Sequence, residues 1–95
     1  MPPEKTGLAA LARGKLEAAL SPQALSIADE SARHAGHGGA GGGGHLRVRI
    51  VSEKFRGLSL LERHRLVYAA LSEDMKSGRL HAVAVDEARE PGEGA

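Results

Sequence analysis

The chain carries five histidines and no cysteine in 95 residues, so any metal chemistry it performs must run through imidazole nitrogen. His34 and His37 stand three apart at the head of a glycine-rich tract; His45 follows that tract. Histidines at that spacing can share one ion. Yet seven of the nine residues from Gly36 to Gly44 are glycine, and such a tract holds nothing rigidly in place. A third histidine brought near in space would strengthen the pair. That requires the end of the first strand to lie beside the start of the third, which spacing alone leaves open. His64 falls on an apolar helix face and reads as a satisfied core residue. His45 points with Arg47 and Arg49 and reads as an ordinary residue of a sheet surface. His81 shares its strand face with Val83 and Val85 and reads as partly buried.

Other chemistries find little support. There is no Gly-x-Ser-x-Gly nucleophile turn. Asp29-Glu30 and Glu73-Asp74 are adjacent acids, and neighbours in sequence do not face one another on a helix or strand. The glycine tract is not followed by Gly-Lys-Ser/Thr, nor by a helix, so it does not cradle phosphate. A chain with Phe55 and Tyr68 as its only large aromatics has little material to wall off a dry pocket of about 300 Å³ or more. These features exclude no reaction outright, but they point away from an enzyme. Net charge is +1. Locally, Arg47, Arg49, Lys54, Arg56, Arg63 and Arg65 stand against only Glu53 and Glu62. A turn at Gly57 followed by an Arg-His-Arg helix invites a nucleic-acid reading, with Lys54, Arg56, Arg63 and Arg65 neutralising phosphates of duplex DNA. The plainer alternative is a solvated charged face.

The elements that must position these groups follow from periodicity. Thr6 to Leu20 reads as a helix, with Leu8, Leu11, Ala12, Leu16, Ala19 and Leu20 inward, Thr6 as cap and Ser21-Pro22 as stop. Ala24–Asp29 alternates with period two and is a strand. Leu46–Val51 alternates more clearly, with Leu46, Val48 and Ile50 on a buried face and Arg47 and Arg49 on a wet one. Ser59-Leu60-Leu61-Glu62 is a capping box that opens a helix running to about Ser77. Its expected inward stripe is Leu60, Leu61, His64, Val67, Tyr68, Leu71 and Met75, with Gly78 as C-terminal cap. Leu80–Val85 is a short apolar third strand suited to the middle or buried side of a sheet, and the chain from Glu87 on reads as loose. The order is α-β-β-α-β. The first two strands pair antiparallel across a flexible loop at 36–44, and the third joins in parallel by a right-handed crossover. The fold class is α+β: a three-stranded mixed sheet with helices on one face, in one domain over 1–88 with a loose tail at 89–95. No segment approaches the ~20 apolar residues needed to cross a bilayer, so a cytoplasmic protein is expected.

The run from Leu46 to Leu71 closely resembles the signature of the BolA family. The matching parts are the Val51-Ser52-x-x-Phe55-x-Gly57-Leu58-Ser59 turn and the Arg63-His64-Arg65-x-Val67-Tyr68 helix. Upstream, Asp29-Glu30-Ser31 followed by His34 resembles the family's first strand and loop; downstream, Leu80-His81-Ala82-Val83 resembles its last strand. The resemblance implies a fold similar to class II KH domains, although the turn has only Gly57 where those domains carry a Gly-x-x-Gly clamp. It also implies partnership with a monothiol glutaredoxin and a shared [2Fe–2S] cluster. By that analogy His81 is one ligand and His34 the other, with His37 a nearby substitute. A chain without cysteine would need the glutaredoxin and its glutathione to supply the thiolates, as the two irons of a Rieske-type centre divide imidazole from thiolate. Alone, the protein is expected to hold no cofactor and to be a monomer or weak homodimer.

Overall fold

The computed structural model describes residues 7–31 and 44–93. The tract with His34 and His37, the expected loop up to Gly43, and the expected cap Thr6 lie outside the described residues.

Helix α1 (Gly7–Leu20) turns Ala9, Ala12, Leu16 and Leu20 inward, while Ala19, expected on that stripe, is exposed. It stops at Ser21, which takes a positive φ of 44°, rare for a residue with a side chain, and Pro22 cannot extend the helix. Next come β1 (Ala24–Asp29), β2 (Gly44–Val51) and a 3₁₀ turn (Glu53–Phe55); α2 (Leu60–Ala70), α3 (Ser72–Lys76) and β3 (Leu80–Arg89) complete the chain. The sheet order is β1-β2-β3, with β1 antiparallel and β3 parallel to β2. The mixed α+β sheet is the one expected, but β3 is an edge strand and β2 takes the middle. Gly44, Leu46, Val48 and Ile50 of β2 are buried, against Phe55, Leu16, Val67 and Leu71 of the helical layer. Arg47 and Arg49 face outward on the uncovered side.

Three further expectations need correction. The helix from Ser59 does not run unbroken to Ser77. Its capping box forms as read, but hydrogen bonding tightens at Leu71, whose N–H reaches Tyr68 O at 3.1 Å, and α3 continues from there. Nothing in Ala69-Ala70-Leu71-Ser72 announces that break. The inward stripe is also rotated. Arg63, Val67, Leu71 and Asp74 are buried, whereas Leu60 is 62% exposed and Leu61 59%, with Tyr68 39%. Finally, the chain beyond Glu87 is not loose up to Glu93. β3 runs to Arg89, and Glu90 and Glu93 are both paired with Arg63.

A few polar side chains bind the layers. The fully buried Ser52 hydroxyl donates to Leu20 O at 2.6 Å, ending α1, and accepts from Lys54 N, starting the 3₁₀ turn. Buried Asp74 takes Lys15 of α1 at 2.8 Å and Arg79 at 3.0 Å, so a carboxylate inside the fold is matched by two cations. Those carboxylates, Asp74 first and Glu73 second, raise the Lys15 pKa above its ordinary value. Both edge strands receive donors from helices: Arg13 on Leu25 O, Tyr68 on Val83 O and Arg63 on Ala88 O.

Gly44 packs beside Leu8 of α1. A Cβ there would run into the Leu8 Cδ1 methyl and press on Ser31 Oγ. Because the obstructing atom is the tip of a flexible side chain that can turn aside, Gly44→Ala should cost about 1 kcal/mol or less, read as a slightly lower urea midpoint at unchanged slope.

Candidate metal-ligand end of the open sheet

β1 ends where β2 begins, and β3 begins beside the same point. Glu30 N donates to His45 O at 2.8 Å, the Ser31 hydroxyl accepts from His45 N at 3.0 Å, and Gly44 N donates to Arg79 O at 3.0 Å. One end of the sheet thus gathers both ends of the 32–43 tract with the first residues of β2 and β3. The end of the first strand and the start of the third thus share one end of the sheet, with β2 between them.

The positions of His45 and His81 follow from a mismatch in strand length. Eight residues of β2 pair with ten of β3. Gly44 opposes Leu80 and His45 opposes Ala82, so His81 is an extra residue, and a second shift leaves Asp86 unopposed. Each shift lets two successive residues point the same way and re-aims a side chain. Leu80, Val83 and Ala88 point inward. His81 does not share the face of Val83 as expected; it is exposed on the open side. There its ring lies 5.1 Å from that of half-buried His45, centroid to centroid, with the planes 44° apart. The second shift brings Asp86 onto the same face, where it takes Arg47 through two bonds of 3.0 and 2.8 Å, with Glu30 Oε1 3.9 Å away from the same guanidinium. Asp86, foremost, raises the Arg47 pKa further.

Among the described residues, no group of three or more His, Asp or Glu side chains gathers as a complete metal site. Of the expected ligands, His81 is accessible, while His34 and His37 lie outside the described residues. The sequence reading missed His45 as a neighbour of His81. The signal was present in its position, first after the tract and next to the start of a strand that a parallel partner must flank. Half-buried His64 stands on α2, away from this end.

The expected phosphate-binding groups fare unevenly. Arg63 is turned inward, only 7% exposed, so the expectation that it lies on a basic surface is corrected. Its guanidinium donates to Leu58 O and Ala88 O, to Glu93 at 2.6 Å and to Glu90 at 3.3 Å. Glu93 is in turn held below the usual carboxylate range, chiefly by the Glu90 backbone N–H and then by Arg63. Arg56 is exposed but paired with Glu53 at 2.9 Å and with Glu90 at 2.9 Å. Lys54 and Arg65 are exposed.

Fold and site together define a small α+β domain whose chemistry-bearing groups sit on an open sheet end rather than in an enclosed cavity. Residues 16–93 match the family model for BolA-like protein, and the chain belongs to that family. It is 51% identical over 79 residues to BolA-like protein 1 of Homo sapiens, covering 83% of this chain and 55% of that protein. It is 42% identical over 71 residues to the DNA-binding transcriptional regulator BolA of Escherichia coli (strain K12), covering 75% of this chain and 65% of the other. Among solved structures, the BolA domain of SufE1 from Arabidopsis thaliana superposes with a TM-score of 0.74 at 45% identity, covering 88% of this chain and 92% of that one. The chain spans about half the length of mammalian BolA-like protein 1, 51% in mouse and 56% in cattle.

Arg63→Ala should destabilise the fold by about 2–4 kcal/mol, because Glu90, Glu93 and two carbonyls lose one shared donor. Arg65→Ala should stay within about 0.5 kcal/mol, as exposed substitutions do. Urea unfolding of the two variants checks both.

Proposed function

We propose that the protein is a BolA-like adaptor that binds a monothiol glutaredoxin and completes a shared [2Fe–2S] centre, acting in iron–sulfur cluster assembly, trafficking or iron regulation. The observation that carries this reading is the outward exposure of His81 at the end of the sheet where the 32–43 tract leaves and returns. A ring buried in the hydrocarbon interior could not have reached a partner's cluster. The donor set fits as well. With no thiol in the chain, its contribution is imidazole alone, the half of a Rieske-type ligand set that a thiolate-bearing partner lacks. Such a centre, when bound, supplies one-electron or cluster-transfer chemistry. The chain's own part is to present His81, with His34 or His37 as the second donor, on a sheet end that the helices leave uncovered.

Mixing the protein with cluster-loaded monothiol glutaredoxin and glutathione should change the visible absorption and circular dichroism of the cluster. His81→Ala should abolish that change while leaving the far-ultraviolet spectrum intact. An unchanged wild-type spectrum, or the same change with His81→Ala, rejects the reading.

A second reading, DNA binding, is supported by the name of the Escherichia coli relative. Here it would rest on Lys54 and Arg65, with Arg56 shared with its acidic partners and Arg63 taken up inside the fold. Duplex DNA retarded at low salt, released as salt rises and weakened in the Lys54→Ala/Arg65→Ala double variant is its expected outcome; no retardation at low salt removes it.

A further inference from the structure

We propose that His45 and His81 form a mononuclear site for a borderline transition-metal dication such as Cu²⁺ or Zn²⁺, used by this chain without any partner. The reading does not depend on glutaredoxin.

Geometry is the first argument. Two imidazoles bound to one tetrahedral ion through bonds of about 2.0–2.1 Å bring their ring centroids to roughly 5 Å apart. The rings of His45 and His81 stand 5.1 Å apart before any ion is present. The backbone sets the two residues side by side on one face of the sheet. His45 is held by hydrogen bonds at both its N–H and its carbonyl, and His81 is the extra residue of the β3 bulge, aimed outward by the strand itself. Donors on adjacent strands lose little freedom when an ion arrives.

Electrostatics is the second. Arg47 lies two residues from His45 on the same face and would repel a dication if its charge were unopposed. Asp86 engages it through two bonds, with Glu30 near the same group. The pair therefore does not face an uncompensated cation. The exposure of His81 gives the ion a route in and leaves its remaining positions to water. Two imidazole nitrogens with the ion's other positions open suit imidazole-preferring ions, and the usual order of affinities puts Cu²⁺ above Zn²⁺. An ion held there would occupy the His81 ring that a bridging cluster also needs, so the two uses compete.

The test is calorimetric titration of the untagged full chain with Cu²⁺ and with Zn²⁺. Wild type should bind one ion, Cu²⁺ the tighter. His45→Gln and His81→Gln should each weaken binding by about tenfold or more, while the His34→Ala/His37→Ala double variant should hold affinity within about threefold. Binding by His45→Gln as tight as wild type, or loss of the site in the double variant, overturns the proposal. Because His45→Gln could perturb β2, a second measurement uses wild type alone. Side-chain nitrogen resonances of both His45 and His81 should shift together on adding Zn²⁺, and movement of only one ring also overturns it.

Discussion

β3 is two residues longer than the stretch of β2 that it lines, and both strands are anchored at their ends. Gly44 is tied to Arg79 at the start, and Ser52 N bonds to Arg89 O at the finish. The surplus cannot slide out at either end, so it is absorbed inside the strand, once at His81 and once at Asp86. Two contacts on the open face follow from where those two residues are pushed. The first faces His45; the second neutralises Arg47. A β3 in strict alternation would turn alternate residues inward and lose the combination of buried Leu80, Val83 and Ala88 with outward His81 and Asp86.

The same constraint explains why the sheet can leave one side uncovered. Its helical side is sealed by aliphatic side chains and Phe55, with Ser52 and Asp74 as the polar fastenings that join α1 to the rest. Its open side is held by cross-strand charge pairs, Arg47 with Asp86 and Arg49 with Glu87. Exposed pairs of this kind add little to stability, typically below about 1 kcal/mol, but they set which charges a visitor meets.

Much of this was legible in the residues. β1 begins and ends where its alternation says, β2 keeps its buried and wet faces, and the Ser59–Glu62 capping box closes as read. What could not be read is what depends on partners distant in sequence. Arg63 looks like a surface cation because its four acceptors come from Leu58, from the end of β3 and from the residues just after it, up to thirty positions away. Once it is inside, the helix rotates and Leu60, Leu61 and Tyr68 go out. His81 looks half-buried because a period of two cannot register an inserted residue; the bulge exists only in relation to β2. The break at Leu71 lacks the glycine or proline that would mark it. At the candidate site, the absence of cysteine directs attention to the histidines, whereas the approach of His45 to His81 needed the parallel register.

The sheet also has two unshielded flanks, since three strands cannot close on themselves. Three backbone carbonyls there are occupied: Leu25 by Arg13, Val83 by Tyr68, Ala88 by Arg63. A foreign strand seeking to extend the ladder would first have to evict a guanidinium or a phenol, and at Ala88 it would also unlatch two acids from the far end of the chain. The helices thus reach past the covered face and hold the rims of the sheet as well.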